Sequence, residues 1–342
     1  MSATRHARIS GVGSSLPSRV VPNSFFEPLV DTTDEWIQER TGIRSRHFAS
    51  DGETTASLGA EAASRALRSA GLGPEAVDLV VVATITPERL MPSTAAYIQS
   101  RLGTQCAAFD MNAACAGFVY ALSVASAQIT AGAADRILVI GAETLSRTLD
   151  LTDRGTCVLF GDGAGAIVLE RSDEPGVIAS TLELDSTATE LLTIHAGGSE
   201  EPASEASVRD GRHALRMYDG RAIFKRAATG MAEACASLLE KTGMTADDVS
   251  VVIPHQANAR IMLAVVNRLN VPHERLFMDV AEVGNTSAAS IPIAMDHAWR
   301  QGRLQPGDLV LTTAFGGGLA WGANLIRWTA PAPPAGSGDA DD

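Results

Sequence analysis

Three polar side chains stand where apolar runs break off, and their types together make one chemistry. Cys115 lies in NAACAGFVYAL, after the run AAFDM and at the head of AGFVYALSVASAQI. His255 closes VSVVIP in IPHQANAR, and Asn285 follows LFMDV in VGNTSAAS. A cysteine thiolate is a nucleophile, and by the internal symmetry of the chain the three residues would converge on one pocket. Taken singly, the residues read otherwise: Cys115 as a packed core thiol, His255 as a hydrogen-bonded structural histidine, Asn285 as a helix N-cap. His6, His47, His195, His213, His273 and His297 fall in loops or on polar helix faces and read as solvated.

The elements that would position the three residues occur twice. The first half reads GLGPEAVDLVVVATIT, AAFDMNAACAGFVYAL, ADRILVIGAE and FGDGAGAIVLER; the second reads GMTADDVSVVIPHQAN, ERLFMDVAEVGNTSAASIPIAMDHA, PGDLVLTTAFGGG and GANLIRW. DLVVVAT, RILVIGA, VSVVIP and DLVLTTAF are short, β-branched and continuously apolar, as strands covered on both faces are. The pattern predicts a duplicated, layered α/β fold with mixed, mostly parallel sheets. Its halves span 1–174 and 175–330, joined around ERSDEPGV, where Asp, Pro and Gly break the pattern. The tail 331–342, ending PAGSGDADD, reads as disordered. Ligands of such sheets gather beyond the carboxyl ends of strands. Cys115 opens a helix whose dipole favours a thiolate, and Asn285 reads as its counterpart in the second half. GDGAGA resembles a nucleotide-binding glycine loop but leads into the strand AIVLE, so tight layer packing explains its glycines better.

Bulk properties narrow the class. The 342 residues are 45% hydrophobic and 20% charged, an ordinary globular composition. No window approaches the roughly 18 apolar residues of a membrane span, and the start MSATRHARISGVG carries no signal-like run, which predicts a soluble cytoplasmic protein. Cys106, Cys115, Cys157 and Cys235 show neither disulfide nor zinc spacing, so reduced thiols and no metal are expected. A net charge of −13 argues against nucleic-acid binding.

Further motifs carry a family likeness: DTTDEWIQERTGIRSRHFA, NAACAGFVYAL, DRGTCVLFGDGAGAIVLE, DGRAIFK, IPHQANARI, GNTSAASIPIA and AFGGGLAWG, in this order over nearly the whole chain. With these the chain resembles the β-ketoacyl-acyl carrier protein synthase III family, condensing enzymes of thiolase-like α-β-α-β-α fold that start fatty-acid or polyketide synthesis. The resemblance implies a Cys115, His255, Asn285 triad and an oxyanion hole from the backbone of Cys115 and Gly317. Trp36 and Arg154 would sandwich the CoA adenine, with Arg40 near its phosphates and Asn258 on the pantetheine arm. Trp36 and Arg40 read equally as one face of an ordinary amphipathic helix. Acyl-CoA and malonyl-acyl carrier protein (ACP) would be substrates, with no cofactor required. Lys225, Arg226, Arg260 and Arg268 would meet the acidic carrier protein, although Asn267 stands where the family pattern has another basic residue. A homodimer is implied, in which Met91 of RLMPSTA enters the partner's acyl pocket in place of the family's bulky Phe. Methionine either fills similar space or leaves an adaptable gap for medium or branched primers beside acetyl.

Other readings share these residues. An acyltransferase passing the acyl group to an alcohol, amine or carrier without decarboxylation would keep the triad. A catalytically silent acyl-CoA-binding subunit would have no chemical need of it. A papain-like hydrolase uses the same residue types on a fold that the duplication disfavours.

Overall fold

The computed structural model describes residues 4–333. In chain order the first half supplies β1 (His6–Ser15), β2 (Arg19–Pro22), α1 (Asp34–Thr41), β3 (Ser45–Phe48), α2 (Thr55–Ser69), β4 (Leu79–Ala83), α3 (Thr94–Leu102), β5 (Ala107–Met111), α4 (Gly117–Thr130), β6 (Arg136–Thr144), α5 (Arg154–Cys157) and β7 (Asp162–Ser172). The second supplies β8 (Val177–Leu184), β9 (Leu192–Thr193), α6 (Glu205–Arg209), β10 (Arg216–Met217), α7 (Gly220–Thr242), β11 (Val251–Pro254), α8 (Ala259–Leu269), α9 (Val280–Val283), α10 (Ser290–Arg300), β12 (Leu309–Gly316) and β13 (Ala320–Arg327).

One sheet has the order β1-β7-β6-β4-β5 and the other β8-β13-β12-β11, so the two halves repeat one topology. The sheets are mixed, but not mostly parallel. The pairs β1–β7, β7–β6, β12–β13 and β13–β8 are antiparallel, while β6–β4, β4–β5 and β11–β12 are parallel. Continuous apolar runs report burial on both faces, which antiparallel strands inside a layered fold share. LFMDV, expected as a strand, keeps only a bridge from Leu276 to Val252. The Gln256 side chain occupies the backbone groups a ladder would use: its amide donates to the Phe277 carbonyl at 3.3 Å, and its oxygen accepts from Asp279 N–H at 3.0 Å.

Five layers result. α2 and α3 cover the outer face of the first sheet, α4 and α10 lie between the sheets, and α7 and α8 cover the second. α4 is apolar on several sides because both sheets enclose it; Phe118, Leu122 and Ile129 join Ile291, Met295 and Trp299 of α10 in the central core. α8 buries a single stripe, Ile261, Met262, Val265, Val266 and Leu269. The glycines of GDGAGA serve close packing: a Cβ on Gly165 would stand 2.5 Å from Ile293 N of α10. In the tail, the Pro331 carbonyl accepts from Trp299 Nε1 at 2.6 Å, so that end of the expected disordered segment is pinned; residues 334–342 lie outside those described.

Arg46 of β3 is wholly buried beneath the segment that carries Asn285. It donates to Asn23 Oδ1 at 2.8 Å, Val21 O at 3.2 Å and Val158 O at 2.6 Å, and its guanidinium lies 4.8 Å from the Phe26 ring centroid. Burial draws it down to about 10, which leaves it cationic at neutral pH. Arg46→Met would strand those three acceptors, and we expect about 3 kcal/mol less stability, read as a lower midpoint in urea unfolding.

Candidate active site

Cys115 sits in a tight turn, Ala114–Ala116, between β5 and α4. The turn is set by Asn112, whose Oδ1 accepts Ala114 N–H at 3.2 Å while Ala114 takes a left-handed φ of 47°. The second half repeats the device before α10: Asn285 Oδ1 accepts Ser287 N–H at 2.9 Å and Ser287 has φ of 50°. Asn285 therefore corresponds to Asn112, and the counterpart of Cys115 is Ala288. This corrects the sequence-based pairing of Asn285 with Cys115.

The segment from Asn285 to Ser290 touches every member of the expected triad. Its turn packs on that of Cys115, where a Cβ on Gly117 would meet the Ala288 Cβ at 3.4 Å. Ser290 Oγ lies 2.6 Å from His255 Nδ1. Asn285 itself donates its N–H to Leu159 O at 3.0 Å and accepts Gly161 N–H at 2.9 Å. With Oδ1 and both backbone groups engaged, its side-chain NH2 is the end left for a substrate.

Electrostatics define the resting state. Cys115, His255 and Asn285 are all buried. Burial draws His255 down to about 3, so its imidazole is neutral. Ser290 Oγ accepts Gln256 N–H at 3.4 Å, which leaves its hydrogen for Nδ1 and puts the imidazole hydrogen on Nε2. Burial likewise pushes the Cys115 thiol up to about 11. The positive end of α4 acts in the opposite direction. The thiolate is thus formed against desolvation and is not a free gift of the helix terminus, as the sequence suggested.

The other expected residues fall into groups. Arg40 and Arg154 both stack on Trp36 of α1, with guanidinium carbons 4.9 and 4.8 Å from its ring centroid. Asn258 caps α8 and donates to Arg40 O at 3.0 Å, so these four residues form one cluster at the surface. Gly316 and Gly317 run beside the nucleophile turn; a Cβ on Gly316 would stand 2.5 Å from Cys115 N, and one on Gly317 3.7 Å from the Ala114 Cβ. Lys225, Arg226, Arg260 and Arg268 are exposed on the packed pair α7 and α8. Arg226 is held by Asp185 at 2.6 Å, which removes part of its charge from that face. Met91 lies apart from the triad on an exposed loop. His297, expected as solvated, is only partly exposed and bonds Asp279 at 2.9 Å. The hollows beside Ala203–Arg209 and over α2 are lined by none of these residues. Sequence reasoning missed Gly316, Ser287 and Ser290, although FGGG and GNTSAAS contain all three.

Residues 109–186 match the model described as 3-oxoacyl-[acyl-carrier-protein (ACP)] synthase III, and residues 239–328 that of its C-terminal part. A Rhodobacter capsulatus relative, β-ketoacyl-[acyl-carrier-protein] synthase III, is 50% identical over 95% of this chain and 100% of its own. The chain belongs to the synthase III family. A solved synthase III from Aquifex aeolicus superposes with a TM-score of 0.87 at 46% identity, covering 94% of this chain and 100% of that one. The priming β-ketosynthase of the R1128 polyketide pathway superposes at 0.90 with 38% identity, covering 97% and 98%. The fold is that of these thiolase-like enzymes, and synthase III is an acyltransferase that condenses a primer from acyl-CoA with malonyl-ACP at the start of fatty-acid synthesis, without a cofactor.

Because the native state refuses a proton at His255 that the unfolded chain accepts below pH 6.5, this residue makes stability of synthase III fall as pH falls. We expect about 2 kcal/mol from it between pH 6.5 and 5. His255→Asn should lose that much less than the wild type when urea unfolding is compared at the two pH values.

Proposed function

We propose that Cys115 is the acyl carrier of the reaction and that His255 and Asn285 together hold the enolate. The observation that supports this most is the Asn285–Ser290 segment, which packs on Cys115 and bonds His255 at once. The Cys115 sulfur attacks the acyl-CoA carbonyl, and the tetrahedral oxyanion is met by the N–H groups of Cys115 and Gly317. CoA leaves and the acyl group stays on sulfur. Malonyl-ACP then loses CO2; the electron pair of the broken C–C bond becomes an enolate whose oxygen accepts from His255 Nε2–H and the Asn285 amide. A neutral imidazole suits this role, since it stabilises the enolate without delivering a proton to its carbon. That carbon attacks the acyl thioester, and collapse of the second tetrahedral oxyanion releases the β-ketoacyl product and Cys115.

Trp36, Arg40, Arg154 and Asn258 bind CoA in this reading, with the adenine taking the place that Arg154 holds against Trp36. Arg154 is retained there by Asp31 O at 2.6 Å, a hydrogen bond that exchange for the adenine would release. Lys225, Arg226, Arg260 and Arg268 receive the carrier protein. The working form is a cytoplasmic homodimer: β5 is an edge strand with Phe109 exposed, and Leu90 and Met91 on the loop before α3 are 88% and 84% exposed. An unpaired apolar edge of this kind is a template for a second copy, and the halves 1–174 and 175–330 each supply part of the site.

Intact-protein mass spectra after mixing with a panel of acyl-CoAs should show an adduct that Cys115→Ala abolishes, and the acyl groups retained would define what Met91 admits. Added malonyl-ACP should discharge the adduct with CO2 and a β-ketoacyl product. An adduct that persists until an alcohol or amine is supplied would mean simple acyl transfer instead, and an unlabelled wild type would mean a silent binding subunit.

A further inference from the structure

Glu143, on β6, is fully buried and has no part in the steps described. Its carboxyl accepts from Thr86 Oγ1 at 2.6 Å, Thr86 N–H at 3.1 Å, Ile85 N–H at 3.2 Å and Thr84 Oγ1 at 3.2 Å. These donors offset only part of the desolvation, and burial pushes the group up to about 7. Its charge acts on the Cys115 thiol. Carboxylates on neighbouring elements are engaged elsewhere: Asp162 of β7 with Ser146 and Ala49, Asp110 of β5 with Thr94 and Ala95, Glu88 with Ala56.

Ser287 lies in the short turn Ser287–Ala289, which packs at once on the Cys115 turn and on β6, the strand that carries Glu143, and its hydroxyl acts on both the thiol and the carboxyl. It is 1% exposed, and its Oγ makes no full hydrogen bond. An unpartnered buried hydroxyl costs about 1–3 kcal/mol. The backbone does not require it, because Ala114 holds the same left-handed conformation at the matching position of the first half.

We propose that Glu143 takes the proton of the Cys115 thiol through the Ser287 hydroxyl. Sγ–H passes its hydrogen to Ser287 Oγ while the serine's own hydrogen passes to the carboxylate, and the thiolate attacks the acyl-CoA carbonyl. The new S–C bond replaces the CoA S–C bond, and CoA leaves as a thiolate that takes a proton from water. Glu143 stays protonated while the acyl group is on the enzyme. Condensation breaks the acyl–Sγ bond and frees a Cys115 thiolate, to which the stored proton returns by the same path. One proton from water is consumed per cycle, and it departs on CoA. A thiol held well above neutrality thereby gains an acceptor matched to the working pH.

The inference rests on Cys115 being the acylated residue. The test is the rate of Cys115 acylation by acyl-CoA between pH 5.5 and 9, followed by rapid quench and intact mass, in wild type, Glu143→Gln and Ser287→Ala. The wild-type rate should rise through an inflection at about pH 7. Both variants should lose that inflection and acylate roughly 100-fold more slowly at pH 7.5. Ser287→Ala keeps the turn that Ala114 already adopts, so it remains informative if Glu143→Gln loosens the Thr84–Thr86 loop. A Ser287→Ala enzyme with the wild-type profile, or a Glu143→Gln enzyme slowed equally at every pH with its inflection retained, overturns the relay. Absence of any adduct on the wild type would instead remove the assignment of Cys115 itself.

Discussion

The entry of α10 against the first sheet is the contact on which the rest of the site depends. A Cβ on Gly141 of β6 would lie 2.3 Å from Ala288 O, and one on Gly165 of β7 would lie 2.5 Å from Ile293 N. Only bare backbone lets the head of the second-half helix sit so deep in the first-half sheet. That depth puts the Ser287 turn on the Cys115 turn and lets Asn285 exchange backbone hydrogen bonds with Leu159 and Gly161. Cys115 of one half and the polar residues of the other are thus registered by sheet-to-helix packing, which is stiffer than any loop.

The depth also dictates the electrostatics. Water is largely excluded from Cys115 and His255, so an imidazolium or a resting thiolate would carry an uncompensated desolvation penalty. The site answers with neutral groups and oriented dipoles: a histidine held in one tautomer by Ser290, an amide fixed by its own turn, and glycine backbone beside Cys115 N. Dipoles placed in advance stabilise charge that appears only as the reaction proceeds, and they hold no net charge that would demand solvent beforehand. The charged groups Arg40 and Arg154 remain at the surface, stacked on Trp36.

Much of the architecture was legible because burial writes itself into residue type. The runs that became β4, β6, β11 and β12 are apolar without alternation, and the motifs at their ends mark the site. Strand direction was less legible, since side chains record whether a face is covered and not which way the neighbouring strand runs. LFMDV reads as a strand by composition, yet a single glutamine side chain, Gln256, competes successfully for its backbone. The resting ionisation of Cys115 is hard to read for a related reason: helix position is visible in sequence, whereas depth of burial depends on glycines more than twenty residues away. Glu143 carried no motif and reads as a polar end to an apolar strand.

The duplicated turn shows how one local device serves two chemistries. In both halves an asparagine side chain holds the residue two positions on in a left-handed conformation, and a helix follows. In the first half the position after that residue is Cys115, the proposed nucleophile, while Asn112 stays exposed. In the second half the same position is Ala288, which serves close packing, and the asparagine itself is buried, with its amide the end proposed to meet the substrate. The asymmetry follows from which half supplies depth. The turn seated under the other sheet has room for no more than an alanine at the position matching Cys115, because its backbone lies against Gly141 and its Cβ against the position of Gly117. Duplication therefore provides the shared geometry, and unequal burial of the two copies divides the roles between them.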